Sequence, residues 1–317
     1  MLAVACVAVP AFPVVPATST VAAPLDSATA EPPTPAAEPT LVPTAAATPL
    51  PTPAVLIAAG DVANCSSLGD EATALLIESR AGTVAVLGDS VYDRGTPAEY
   101  ADCYEPSWGR FRDRTRPAVG NHEYLTAGAS GYYDYFGESA GESGLGYYSY
   151  DLGAWHIVVL NSMCWEVGGC EREAPQAEWL AADLAAHPAL CTLAYWHYPR
   201  FSSALRGNSD VVQRYWEILY EAGADVVLAG HDHVYERFGP QDAQGQADPE
   251  RGLRQFTVGT GGGSLYGFGA PLPNSEVRES STFGVLVLTL YEDRYEWEFV
   301  PAAGSSFVDR GGGACHP

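Results

Sequence analysis

The stretch DVVLAGHDHVYERF, residues 225–238, decides the fold class. A continuous apolar run, Val226–Ala229, closes on Gly230. His231 and His233 follow, one residue apart, in a chain that has only seven histidines. A run apolar at every position reads as a strand buried on both faces, which places it inside a covered sheet. In an open α/β sheet, polar side chains just past a strand's carboxyl end face the crevice where ligands bind.

The same pattern recurs upstream. Short β-branched or apolar runs occupy 54–61 (AVLIAAGD), 83–89 (TVAVLGD), 116–122 (RPAVGNH), 155–162 (WHIVVLNS) and 191–197 (CTLAYWH). Helical patterns lie between some of them, at 70–82, 175–188 and 208–223. The second starts with Pro175 in a first-turn position and stops before Pro188. The third puts Val211, Val212, Tyr215, Trp216 and Leu219 on one face and ends at Gly223. Strands at 254–263, 282–290 and 294–300 have turns but no helix between them. They are expected to pair antiparallel in a second sheet packed on the first. The fold class is therefore α/β (α+β), in one catalytic-sized domain over 54–317.

The first 53 residues differ. They hold 12 of the 24 prolines, no glycine and no basic residue. Such a composition buries too little apolar surface to offset ordering entropy, so 17–53 reads as a disordered Pro/Ala/Thr tether. Residues 1–16 are apolar but too short and too proline-broken to span a membrane. They read as the remnant of a secretory or lipoprotein signal, with Cys6 a candidate for lipid attachment. The expected location is secreted or cell-surface. Setting Cys6 aside, six cysteines remain, an even number that fits disulfides in an exported chain. Of fifteen possible pairings, the expected one is Cys65–Cys103, Cys164–Cys170 and Cys191–Cys315.

Net charge is −23, and every one of the 16 basic residues is arginine. Without lysine, Schiff-base chemistry and a phosphate-loop lysine are excluded. So acidic a chain repels polyanions, which argues against bulk nucleic acid as a partner.

The strand ends carry the chemistry. They deliver Asp61, Asp89, Asn121, His122, His197, His231 and His233 to one region, and Tyr92 follows Asp89 by three residues. Taken singly, each has an ordinary structural reading: a Gly-Asp turn, a hydrogen-bonded core histidine, a packed aromatic. Together, carboxylate, amide and imidazole donors suit two hard or borderline cations. A carboxylate can bridge such ions about 3.5–4 Å apart, as in two-metal hydrolases. His231 and His233, at i and i+2 of an extended segment, reach the same cavity, one for each ion.

The segments GDVAN, GDSVY, GNHE, WHYPRF and GHDHVYERF resemble, in order, the five motifs of the calcineurin-like metallophosphoesterases, in particular the purple acid phosphatase branch. The match runs from residue 58 to 238, and VGTGGG further on is similar too. Ala63 stands where the wider superfamily has a histidine, and Tyr92 takes its place as in the purple branch. The resemblance implies a sandwich of two mixed β-sheets flanked by helices. It implies that Asp61, Asp89, Tyr92 and His233 hold Fe(III), with Asp89 bridging. Asn121, His197 and His231 then complete a site for Zn, Mn or Fe(II). The implied reaction is hydrolysis of small phosphomonoesters by in-line attack of a metal-bound hydroxide. His122 is expected to stabilise the phosphoryl oxygens or protonate the leaving group, or else to orient its neighbours.

The plant-type members carry extra histidines between the last two motifs, and residues 198–230 have none. Arg200, Arg206 and Asn208 are the polar candidates for substrate contact there. Where the plant enzymes have an N-terminal sandwich domain, this sequence has the tether. Both departures leave pH optimum and substrate choice open. Phosphodiesters or nucleotide anhydrides are the alternative substrates, and a non-catalytic surface module stabilised by two metals is the alternative from another class. Of the remaining candidates, His156 reads as structural within a strand, His187 as ending a helix and His316 as lying in the tail. Arg237 reads as a brace for the metal loop, and the glycines at 259–263 as letting backbone pass close to the site.

Overall fold

The structure is a computed structural model that describes residues 52–317. The expected leader at 1–16, the tether up to residue 51 and Cys6 lie outside the described residues. In chain order the strands are β1 (Ala54–Ala59), β2 (Ala63–Asn64), β3 (Thr83–Leu87), β4 (Val91–Tyr92), β5 (Thr115–Ala118), β6 (Tyr148–Leu152), β7 (Trp155–Val159) and β8 (Cys191–Tyr195). They continue as β9 (Val226–Ala229), β10 (Tyr235–Phe238), β11 (Arg254–Val258), β12 (Ser275–Glu279), β13 (Gly284–Leu290), β14 (Arg294–Pro301) and β15 (Asp309–Ala314). The α-helices are α1 (Gly69–Glu78), α2 (Pro97–Glu99), α3 (Ser130–Phe136), α4 (Pro175–Ala186) and α5 (Gln213–Glu221).

Two mixed sheets carry the fold. One has the order β15-β14-β13-β1-β3-β5, the other β12-β10-β11-β9-β8-β7-β6, and β2 and β4 form a small parallel pair. This corrects the expected assignment of strands to sheets. The six upstream runs do not share one sheet: β1, β3 and β5 lie in the first, while β7, β8 and β9 lie in the second. Nor do the last strands make a sheet of their own. The β13–β14 hairpin joins the first sheet through antiparallel pairing of β13 with β1, and β11 joins the second parallel to β9.

Burial explains why every run looked alike in sequence. Along β7 and β8, Ile157, Val159, Leu193 and Tyr195 belong to the large core that includes the first sheet, as do Val226 and Leu228 of β9. The alternating residues Val158, Ala194, Trp196 and Val227 enter a second core with Ala177 and Leu180 of α4 and Tyr215, Trp216 and Leu219 of α5. Successive side chains of a strand point to opposite faces, so a strand covered on both faces loses its polar alternation. α5 begins later than expected, at Gln213, after a 3-10 turn at Asp210–Val212. All three expected disulfides are present, Cys65–Cys103, Cys164–Cys170 and Cys191–Cys315.

The sheets join at the carboxyl ends of their central strands. Gly60 N donates to Val258 O at 2.8 Å, and His197 Nδ1 donates to Leu87 O at 2.8 Å. The polar residues at those ends therefore come from both sheets and meet at one edge.

Candidate active site

Backbone shape at this edge is unusual. Among the described residues, five non-glycine positions have left-handed φ, and three of them are Asp61 (60°), Asp89 (49°) and His231 (68°). Left-handed φ is disfavoured for residues with a Cβ, and such strain collects at functional sites. Glycines make room for it. A Cβ on Gly88 would lie 2.5 Å from His197 Nδ1, and one on Gly230 would lie 2.8 Å from Asp61 Oδ2. The glycine run after β11 does let backbone pass close: Gly263 N donates to Asp61 O at 2.8 Å.

Two groups of donors share one carboxylate. On one side, the Tyr92 hydroxyl lies 2.7 Å from Asp61 Oδ1, 2.9 Å from His233 Nε2 and 3.1 Å from Asp89 Oδ2. His233 Nε2 is 3.1 Å from Asp61 Oδ1. On the other side, the same Asp89 Oδ2 lies 3.3 Å from His197 Nε2, which is 3.1 Å from Asn121 Oδ1. The His231 ring completes this side, 5.1 Å from the His197 ring, and Asp89, His197 and His231 each offer a ligand atom within 4.8 Å of the others. The backbone N–H of His231 donates to Asp61 Oδ2 at 2.8 Å.

Three imidazoles are oriented alike. His197 donates its Nδ1–H to Leu87 O, His233 to Ser264 O and His122 to Asp93 O. Each is left with Nε2 turned toward the cluster, the arrangement that fixes the tautomer of a metal-binding histidine.

Charge follows from burial. Asp61 and Asp89 are fully enclosed, which alone would raise both carboxyls. His233 and His197 together outweigh burial at Asp61, and His197 and His122 together outweigh it at Asp89, holding both below the usual carboxylate range. Burial would lower His197, but Asp89 beside it pushes it up to about 9. Burial and the neighbouring His197 push His231 down to about 3. Burial, together with Asp61 and Asp89, keeps the Tyr92 phenol protonated well above its ordinary range. Buried carboxylates, a phenol and imidazole nitrogens gathered at this spacing fit a pair of hard or borderline cations, whose binding would displace the imidazolium protons.

A sequence model of the calcineurin-like phosphoesterases matches residues 41–235. The chain belongs to that family. A metal-dependent phosphoesterase centre with two ions is what the family implies. This calcineurin-like phosphoesterase is 35% identical over 211 residues to purple acid phosphatase 21 of Arabidopsis thaliana, across 57% of this chain and 47% of that one. It spans about half the length of the curated relatives it matches. Its fold is similar to that of purple acid phosphatase PPD1 from yellow lupin (Lupinus luteus) seeds, with TM-score 0.65 and 18% identity over 82% of this chain and 53% of the other. It is also similar to GAP50, the anchor in the inner membrane complex of Plasmodium, with TM-score 0.63 and 14% identity over 84% and 90% of the two chains.

The remaining candidates of this phosphoesterase divide. His122 stands at the rim with 27% of its side chain exposed, its Nε2 3.9 Å from Asp89 Oδ2 and its ring edge-on to Tyr92. Arg206 donates to the Tyr266 hydroxyl at 3.0 Å, and the Tyr266 ring stacks on His233 at 4.2 Å. Arg200 is turned away from the cluster. It is buried and spends its guanidinium on Asp210, Gln213 and the carbonyl of Ala243. Asn208 accepts from Ser202 N within its own loop. Arg237 braces β10 rather than the loop: it pairs with Asp309 and Glu276 and lies over Trp297.

Glu123 is the residue sequence reasoning missed, although it ends the GNHE motif. Fully buried, its carboxylate accepts from Asp89 N at 3.1 Å, Ser90 N at 2.7 Å and Gly120 N at 2.7 Å. It thereby pins the loop of Asp89 to the loop of Asn121 and His122. Burial and nearby Asp89 push its carboxyl up to about 7. A glutamate next to a rim histidine reads as exposed in sequence, because nothing local reveals three converging N–H groups.

Proposed function

We propose that the chain is a binuclear metal-dependent phosphohydrolase acting on small phosphomonoesters. The observation that carries this reading is the position of Asp89 Oδ2 between two donor groups, one centred on Tyr92 and the other on His197. Asp61, Asp89, Tyr92 and His233 would hold one ion, with Fe(III) the expected identity because a phenolate stabilises a ferric centre. Asp89, Asn121, His197 and His231 would hold the other, expected as Zn, Mn or Fe(II). When bound, the ions supply Lewis acidity toward a phosphoryl oxygen and ease deprotonation of water.

The chain's own residues do the rest. His122, anchored through Nδ1 and about a quarter exposed, would act in its doubly protonated form, its Nε2–H donating to a phosphoryl oxygen and then passing that proton to the leaving oxygen. The Leu87 and Ser264 carbonyls would hold His197 and His233 as Nδ1–H tautomers with Nε2 bare for the ions, and the Asp93 carbonyl holds the His122 ring in place. Arg206, at the rim of a strongly acidic chain, attracts the phosphate dianion. Residues 54–317 form the catalytic unit in this reading, carried on a tether after a leader that directs export. Three disulfides support an oxidising, secreted or cell-surface setting.

Metal analysis with a visible spectrum and a substrate panel tests the proposal. The expected result is two ions per chain, a violet band that Tyr92→Phe abolishes, and faster hydrolysis of nitrophenyl phosphate than of its bis-ester or ATP. A colourless protein with two zinc or manganese ions removes the ferric assignment. Preference for the bis-ester or ATP replaces the substrate class. Retention of both ions without hydrolysis of any ester makes the chain a metal-stabilised binding module.

A further inference from the structure

A second cluster of side chains of metal-ligating type lies where α4 meets β7. His156 of β7, nearly inaccessible, has Nε2 2.8 Å from Asp183 Oδ2 and Nδ1 3.1 Å from Asp151 Oδ1. On the end of α4, His187 stacks on the His156 ring at 5.0 Å and brings Nδ1 to 3.3 Å from Asp183 Oδ1. Ser149 Oγ donates to that same Oδ1 at 2.8 Å. One ligand atom from each of His156, Asp183 and His187 lies within 4.8 Å of the others.

We propose that His156, Asp183 and His187 form a separate binding site for one borderline divalent cation of the Zn(II) type. Two imidazoles and a carboxylate are the donors such an ion takes, at bond lengths of about 2.0–2.2 Å. Neighbouring ligands on a tetrahedral ion at those lengths lie roughly 3.3 Å apart; here His156 Nε2 is 2.8 Å from one Asp183 oxygen and His187 Nδ1 is 3.3 Å from the other. The surroundings are already arranged for it. Asp151 accepts the Nδ1–H of His156 and so leaves Nε2 as the ligating atom, the carboxylate–histidine–metal relay. Ser149 fixes the Asp183 carboxylate. His187 has half its side chain in solvent; to ligate, it moves the proton from Nδ1 to Nε2 and gives up the Nδ1 hydrogen bond to the Asp183 carbonyl, 2.9 Å. The exposed side leaves a coordination position for water. Bound there, the ion ties the last turn of α4 to the second sheet.

The site does not depend on the phosphohydrolase reading. Full-length protein, stripped with chelator and dialysed against buffered Zn(II), is expected to retain one more equivalent of zinc per chain than His187→Ala, a surface change that spares the core. His231→Ala/His233→Ala is expected to keep the equivalent that His187→Ala loses. Asp151→Asn is expected to weaken zinc binding there about 10–100-fold while leaving the three ligands in place. Equal zinc content in the parent and in correctly folded His187→Ala overturns the proposal, as does loss of the extra equivalent in the double variant.

Discussion

Cys191–Cys315 offers the sharpest separation of stability from chemistry. Cys191 opens β8 in the second sheet, and Cys315 follows β15 at the edge of the first, so the bond fastens the two sheets together. It does so at the amino end of β8, whereas His197 lies just past the carboxyl end. The bond closes a segment of 124 residues, against 38 for Cys65–Cys103 and 6 for Cys164–Cys170. Loop-closure entropy in the unfolded chain then gives contributions of about 5, 4 and 2 kcal/mol respectively. Against a typical net stability of about 5–15 kcal/mol, loss of the first is large. Cys191→Ala/Cys315→Ala is expected to lower stability by about 5 kcal/mol, a melting-temperature fall of roughly 10–20 °C for a domain of this size. Its metal content and kcat at low temperature should match the parent. Urea unfolding of the three double-alanine variants, followed by tryptophan fluorescence, measures the series. If removing Cys164–Cys170 costs as much as removing Cys191–Cys315, the entropic reasoning is wrong. If kcat falls with the Cys191–Cys315 bond, the assumed independence of the two ends is wrong.

Gly88→Ala is expected to cost about 3 kcal/mol and to disturb His197, since φ is +82° and the new Cβ would lie 2.5 Å from its Nδ1; denaturant titration checks it. Glu123→Ala is expected to weaken retention of the ions about 10–100-fold, because three N–H groups that fix the Asp89 and Asn121 loops lose their acceptor; equilibrium dialysis against a chelator reads this, and unchanged retention would show that the loops hold themselves. Burial pushes the Asp225 carboxyl up to about 6, although it accepts from Thr192 N and His316 N. A raised acid pKa means the folded state holds its proton longer, so this residue's contribution to stability falls as pH rises from about 4 to about 6, by up to about 3 kcal/mol. Relative to the parent, Asp225→Asn should therefore gain stability across that window, and a flat difference in urea midpoint would refute the assignment.

The legible part of the molecule is the part set by local pattern. Runs such as VVLA at 226–229 and TVAVL at 83–87 declare buried strands because both faces are covered, and that follows from composition alone. Gly-Asp, Gly-Asn-His and Gly-His-Asp-His following such runs marked where polar side chains leave the sheet. The cysteine count and the absence of lysine were equally direct. Less was readable where one group depends on several distant partners. Arg200 looked available for substrate, but its guanidinium is taken by Asp210, Gln213 and Ala243. His156 and His187, 31 positions apart, had separate structural readings until β7 and α4 brought their rings together.

The family, the kinds of donor at each strand end and the α/β alternation are written in the residues, because they depend on residue type and short-range periodicity. The division of the strands between two sheets emerges only on folding, since a strand's choice of neighbour rests on packing across the chain rather than on its own residues. So does the placing of one Asp89 oxygen between Tyr92 and His197, and of Glu123 against three backbone N–H groups beneath them. Those are distances between groups from separate loops, and no local pattern encodes a distance.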